Sequence, residues 1–94
     1  MATVTALFPL GRIVATPGAL DAFRAADESP APYIRRHAQG DWGDLDAEDR
    51  QANVAAVFDE ARILSAYRLA DSTKVWVITE ADRASTCILL PEEY

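Results

Sequence analysis

An α+β fold follows from a change of rhythm along the chain. Up to about residue 61 the apolar residues recur at helical spacing behind helix-start signals. After Arg62 they alternate, and turn residues cut the alternation into three short runs. The 94 residues make one domain, 1–94, because independent cores run to roughly 100–200 residues. The expected architecture is a short N-terminal strand, two to three helices, then a three-stranded antiparallel β-meander packed on the third helix.

The strand is Leu10 to Ala15 (LGRIVA), opening after Pro9. Thr16 can cap and Pro17 suits the first position of a helix over 17–26, whose apolar stripe is Ala19, Leu20, Phe23 and Ala26. Ser29-Pro30 repeats that start signal, Tyr33, Ile34 and His37 share a face of the second helix, and Gly40 ends it in a left-handed conformation. The run Gly40-Asp41-Trp42-Gly43-Asp44-Leu45 is a turn-rich loop. Asp46 or Asp44 caps a third helix near 47–61, and acids in its first turn suit the helix dipole. Val54, Val57, Phe58 and Ala61 stand at i, i+3, i+4 and i+7, the spacing of a buried face.

The meander follows as 63–69, 74–80 and 85–90. A hairpin loop at 71–73 sets Leu69 opposite Val75, Arg68 opposite Trp76, Tyr67 opposite Val77 and Ser65 opposite Thr79. That register puts Ile63, Tyr67, Leu69, Val75 and Val77 on the core face and makes Arg68 and Trp76 a cation–π pair.

Composition excludes several classes. With 50% hydrophobic and 26% charged residues the chain is of the soluble globular type. One cysteine and one histidine exclude a disulfide framework and the usual structural zinc sets, and no cofactor is implied. No run approaches the ~18–20 apolar residues of a membrane span. The first seven residues lack the charged and apolar regions of a secretory signal, so the expected compartment is the cytoplasm of a bacterium-like cell. Seven acids and one base lie between Asp41 and Glu60, so this window holds the whole net charge of −6. A phosphate backbone would be repelled there, and no basic stripe compensates.

Four groups of residues carry candidate chemistry. His37 with Asp41 and Asp44 could form a general base or part of a metal site, although turn and cap bonding explains the same residue types. The acidic loop departs from the EF-hand spacing, with Gly43 at loop position 3, where a ligand belongs, and Ala52 where the closing glutamate belongs. Trp42 and Trp76 beside charges have the character of interface anchors, or each caps one end of a small core. Asp82 and Arg83 make either a recognition loop or a local ion pair. Cys87 reads as a small buried hydrophobe, and no phosphate loop, dinucleotide fingerprint or nucleophile elbow is present.

The stretches His37-Ala-Gln-Gly40-Asp41-Trp42-Gly43-Asp44, Arg62-Ile-Leu-Ser65-Ala-Tyr67, Trp76-Val-Ile-Thr79-Glu80-Ala-Asp82-Arg83 and Leu90-Pro-Glu-Glu-Tyr94 resemble a family of small bacterial proteins carried on plasmids, integrative elements and phage-like islands. Some members are labelled as plasmid-related proteins or as type I restriction subunits, but a restriction methyltransferase motif set does not fit in this length. The resemblance runs from Pro9 to Tyr94 and implies a setting rather than an activity. Its Pro-Glu-Glu-Tyr end reads as a natural terminus.

The function expected from these readings is that of a non-enzymatic accessory protein of a mobile genetic element, acting by protein–protein binding. Its acidic surface would be a nucleic-acid mimic that inhibits a host nuclease or defence complex. The contact residues would be Asp41, Trp42, Asp44, Asp46, Glu48, Asp49, Trp76, Asp82 and Arg83, with no direct nucleic-acid or membrane contact. The alternative is a small enzyme or ligand-binding domain whose pocket is formed by His37, Asp41, Trp42, Tyr67 and Trp76, with His37 and Asp41 catalytic. A homodimer through a sheet edge is the third reading.

Overall fold

The computed structural model describes residues 6–94 as β1 (Arg12–Ala15), α1 (Pro17–Ala25), α2 (Ala31–Ala38), α3 (Ala47–Asp59), β2 (Ile63–Arg68), β3 (Lys74–Thr79) and β4 (Ser85–Leu89). A 3-10 turn over Pro91–Glu93, with no counterpart among the expected elements, follows. The class is α+β. Strands β2, β3 and β4 form the expected antiparallel meander. β1 joins it parallel to β4, giving a four-stranded mixed sheet in the order β1-β4-β3-β2. Among the described residues no helix is long and apolar enough to cross a membrane.

Local chemistry sets the helix ends. Thr16 Oγ1 accepts from the amide of Ala19 at 3.1 Å, and Asp46 Oδ1 accepts from that of Asp49 at 2.8 Å. α2 has no side-chain cap at its start; Pro30 holds the capping position. Its far end is the left-handed Gly40 at φ +86°, which lets the Asp41 amide reach back to the Arg36 carbonyl at 2.9 Å.

The β2–β3 register differs from the expected one by two residues. Tyr67 pairs with Val75, Ala66 with Trp76 and Ser65 with Val77. The loop is 70–72: Leu69 N donates to Thr73 O at 2.8 Å, and Ser72 takes the left-handed φ of +74° that closes a three-residue hairpin. A two-residue shift preserves the faces, so Ile63, Tyr67, Leu69, Val75 and Val77 remain the buried set. It abolishes the Arg68–Trp76 pair: Arg68 stands opposite Lys74 and reaches Asp44 instead.

The core also departs from expectation. Ala19 and Phe23 of α1 and Tyr33 of α2 pack on Tyr67, Leu69, Val75, Val77 and Ile88, so α1 and α2 cover the sheet. α3 contributes Ala56 to a second cluster with Phe8, Trp42 and Ile63 beside β2. It is turned so that Asn53 and Ala56 are buried, while Val54 and Phe58 of the expected inner face are 50% and 81% exposed and Ala61 is exposed. The cause is the edge of β2. Asn53 Nδ2 donates to Leu64 O at 2.7 Å and its Oδ1 accepts from Leu64 N at 3.3 Å, satisfying the backbone groups of Leu64 that face away from β3. Asn53 must therefore point inward, and the small Ala56 lets the helix lie close.

This arrangement predicts that Asn53→Ala costs about 1–3 kcal/mol in urea unfolding, because Leu64 loses both partners. Phe58→Ala should change stability by less than about 0.5 kcal/mol, against the ~3–5 of a buried phenylalanine. A large loss for Phe58→Ala would mean that the side chain is in the core.

Candidate functional site

His37 is completely buried, and its neighbours are not the expected carboxylates. Nδ1 lies 2.6 Å from Ser65 Oγ and Nε2 lies 2.8 Å from Thr79 Oγ1. Thr79 Oγ1 is 2.7 Å from Thr86 Oγ1, which donates to the Leu10 carbonyl at 2.7 Å. Proton counting sets every direction in this chain. A carbonyl only accepts, so the one proton of Thr86 is committed to Leu10; Thr79 then donates to Thr86 and accepts from His37. The imidazole is the neutral Nε2–H tautomer, and Ser65 donates to Nδ1. Burial pushes its pKa down to about 4. Phe8 closes it edge-on at 5.3 Å.

Asp41 lies outside this network. Its carboxylate accepts from Arg36 Nε at 2.7 Å, and that ion pair holds it below the usual carboxylate range. The Arg36 guanidinium stacks on Tyr67 at 4.6 Å, and Tyr67 Oη donates to the Asp41 carbonyl at 2.7 Å. Asp44 pairs with Arg68 at 3.2 Å. These groups line a polar cleft of about 310 Å³ formed by Arg36, Asp41, Gly43, Asp44, Tyr67 and Arg68. Trp42 is buried rather than presented as an anchor: Ala66 N donates to its carbonyl and Asp44 N to Ala66 O, so the loop lies along the β2 edge. Gly43, at φ +75°, is required there because a Cβ would collide with the Ala66 carbonyl.

The five residues of the alternative pocket therefore do not converge. His37 is on the inner side of the sheet, whereas Trp76 is on the outer side and packs edge-to-face on Tyr94 at 5.8 Å. The contact residues are dispersed too. Asp46 is a cap, Glu48 and Asp49 are exposed on the first turn of α3, and Asp82 Oδ1 accepts from Ala84 N at 2.9 Å. Arg83 makes no ion pair with Asp82 among the described residues. Its guanidinium donates to Ala56 O at 2.9 Å and Ala61 O at 2.7 Å, tying down the end of α3. Cys87 is half-buried on β4, where burial pushes its thiol up.

Sequence reasoning missed Ser65, Thr79 and Thr86 as partners of the histidine. Their signal was their phase: each stands where the alternation demands an apolar residue. Exposed Val54 and Phe58 on α3, next to Glu48 and Asp59, are the other feature missed. No protein-family model matches the chain, and no curated protein or solved structure matches it.

The buried histidine gives a pH signature. Its folded pKa of about 4 lies below the unfolded value of 6.5, so between these values the unfolded chain binds the extra proton. Stability is full above pH 6.5 and falls as pH drops toward 4, by about 3 kcal/mol in all. Glu28, Asp41, Asp71 and Glu93 are also held below the ordinary carboxylate range, so their contribution to stability is lost only as pH falls into and below that range. Urea unfolding at pH 7, 6 and 5 should show the slope in the natural chain and a flatter one in His37→Gln. Equal slopes would mean that His37 is not buried neutral.

Proposed function

We propose that the chain is a non-enzymatic accessory protein that acts by binding another protein, with the solvent face of α3 as its contact surface. The observation that carries this reading is Phe58, 81% exposed on a helix whose other side is firmly tied down. A stripe of Ala47, Gln51, Val54, Ala55 and Phe58 runs along that face at helical spacing. Glu48 and Asp59 stand beside it near its two ends. An exposed aromatic side chain with charged residues on the same face has the make-up of an interface anchor and its rim.

The matching partner has an apolar pocket rimmed by basic residues. A nuclease or defence complex offers such a rim where it holds nucleic acid, and a mobile-element accessory protein is the setting that the resemblance implies. The charges available for mimicry are those on α3 rather than those of the preceding loop, because Asp41 and Asp44 are paired with arginines and Asp46 is a cap.

Affinity capture from the cells that carry the protein tests this. The natural chain should retain a protein partner at low salt and lose much of it at high salt, since exposed charges are screened over about 8–10 Å. Phe58→Ala should abolish capture while leaving stability unchanged, and Glu48→Gln with Asp59→Asn should remove the salt dependence. Undiminished capture by Phe58→Ala would overturn the assignment of the surface.

A further inference from the structure

The two edges of the sheet are treated differently. β2 is sealed by Trp42, Asp44 and Asn53, which satisfy Leu64 and Ala66. β1 is open. Arg12 N donates to Ala84 O at 2.9 Å and Thr16 N to Ile88 O at 3.0 Å, so these even-numbered amides face β4. Strand alternation turns the amides of Ile13 and Ala15 away from the sheet. Among the described residues nothing pairs with them.

Beside this edge lies an apolar groove of about 600 Å³ between β1 and α2. Its walls include Leu10, Ile13, Ala15, Ile34 and Ala38, and among the described residues Arg35 is its only charged side chain. Ile13 is opposite Thr86 and Ala15 opposite Ile88, on the inner side of the sheet, yet Ile13 is 50% exposed because neither helix covers it. Arg35 is exposed and has no salt bridge among the described residues, whereas its neighbour Arg36 is held by Asp41.

We propose that the β1 edge and this groove bind an extended peptide segment that adds as a fifth strand, with apolar side chains at alternate positions and a carboxylate on Arg35. The open amides select this occupant over a free amphiphile, which could fill the groove but would leave Ile13 and Ala15 unpaired. Charge selects it over a second copy of the chain, since β1 reads Arg-Ile-Val-Ala and brings a further cation but no acid. The site is separate from the α3 surface and does not depend on it.

The test is a phage-displayed library of random heptapeptides panned on the full chain. Enriched sequences should alternate apolar residues and carry an Asp or Glu, and a synthetic binder should shift the amide resonances of Ile13, Val14, Ala15 and Ile34. Arg35→Glu, an exposed change that leaves the fold intact, should weaken that peptide about tenfold and turn the enrichment toward Lys or Arg. No enrichment, enrichment without alternation or acid, or shifts confined to other residues would each overturn the proposal. So would a concentration-dependent dimer that perturbs the same four residues.

Discussion

One neutral imidazole ties together most of the molecule. His37 on α2 bonds to Ser65 of β2 and Thr79 of β3, and the chain continues through Thr86 of β4 to the carbonyl of Leu10. Every hydroxyl in it has one proton and one direction in which to give it. Such a network in a dry interior tolerates no missing member, because an orphaned polar group there loses its solvation without compensation. It sets where α2 lies across the sheet, and it joins the segment before β1 to β4. In a core built from few large side chains, this polar line supplies specificity of position that hydrophobic contact alone does not.

α2 is held over β2 and β3, and the β2 edge is the one that is capped. The loop after α2 turns at Gly40 and runs along β2, and α3 brings Asn53 to the same edge. Among the described residues the groups that cap a sheet edge thus go to β2. None of them reaches β1, the parallel edge strand on the other side, which lies beside a groove.

The rotation of α3 has the same origin in backbone satisfaction. Its apolar period favours one face, but the unpaired groups of Leu64 need a side chain with both a donor and an acceptor, and Asn53 has both. The carbonyls at the end of α3 are held by Arg83, which also lies over Phe8 at 5.5 Å. Polar anchors at both ends of the contact outweigh the burial of Phe58. An exposed stripe through Val54 and Phe58, with Glu48 and Asp59 near its ends, is the result.

Much of the fold was legible in the chain itself. Capping residues, the glycine at 40 and the switch from helical to alternating spacing mark the elements, because these signals act over one or two turns of backbone. The core face of the meander was legible too, since any shift by an even number of residues leaves it unchanged. Three things were decided only by the tertiary structure. The partner of His37 depended on which strands pass beneath α2, and the acids nearest in sequence proved to belong to arginines. The inward face of α3 depended on an unpaired strand edge, which appears in no local pattern. The place of β1, parallel to a strand some seventy residues later, depended on the long path between them. Short-range propensity determines elements; the satisfaction of buried polar groups, which is a property of the assembled chain, determines how they face one another.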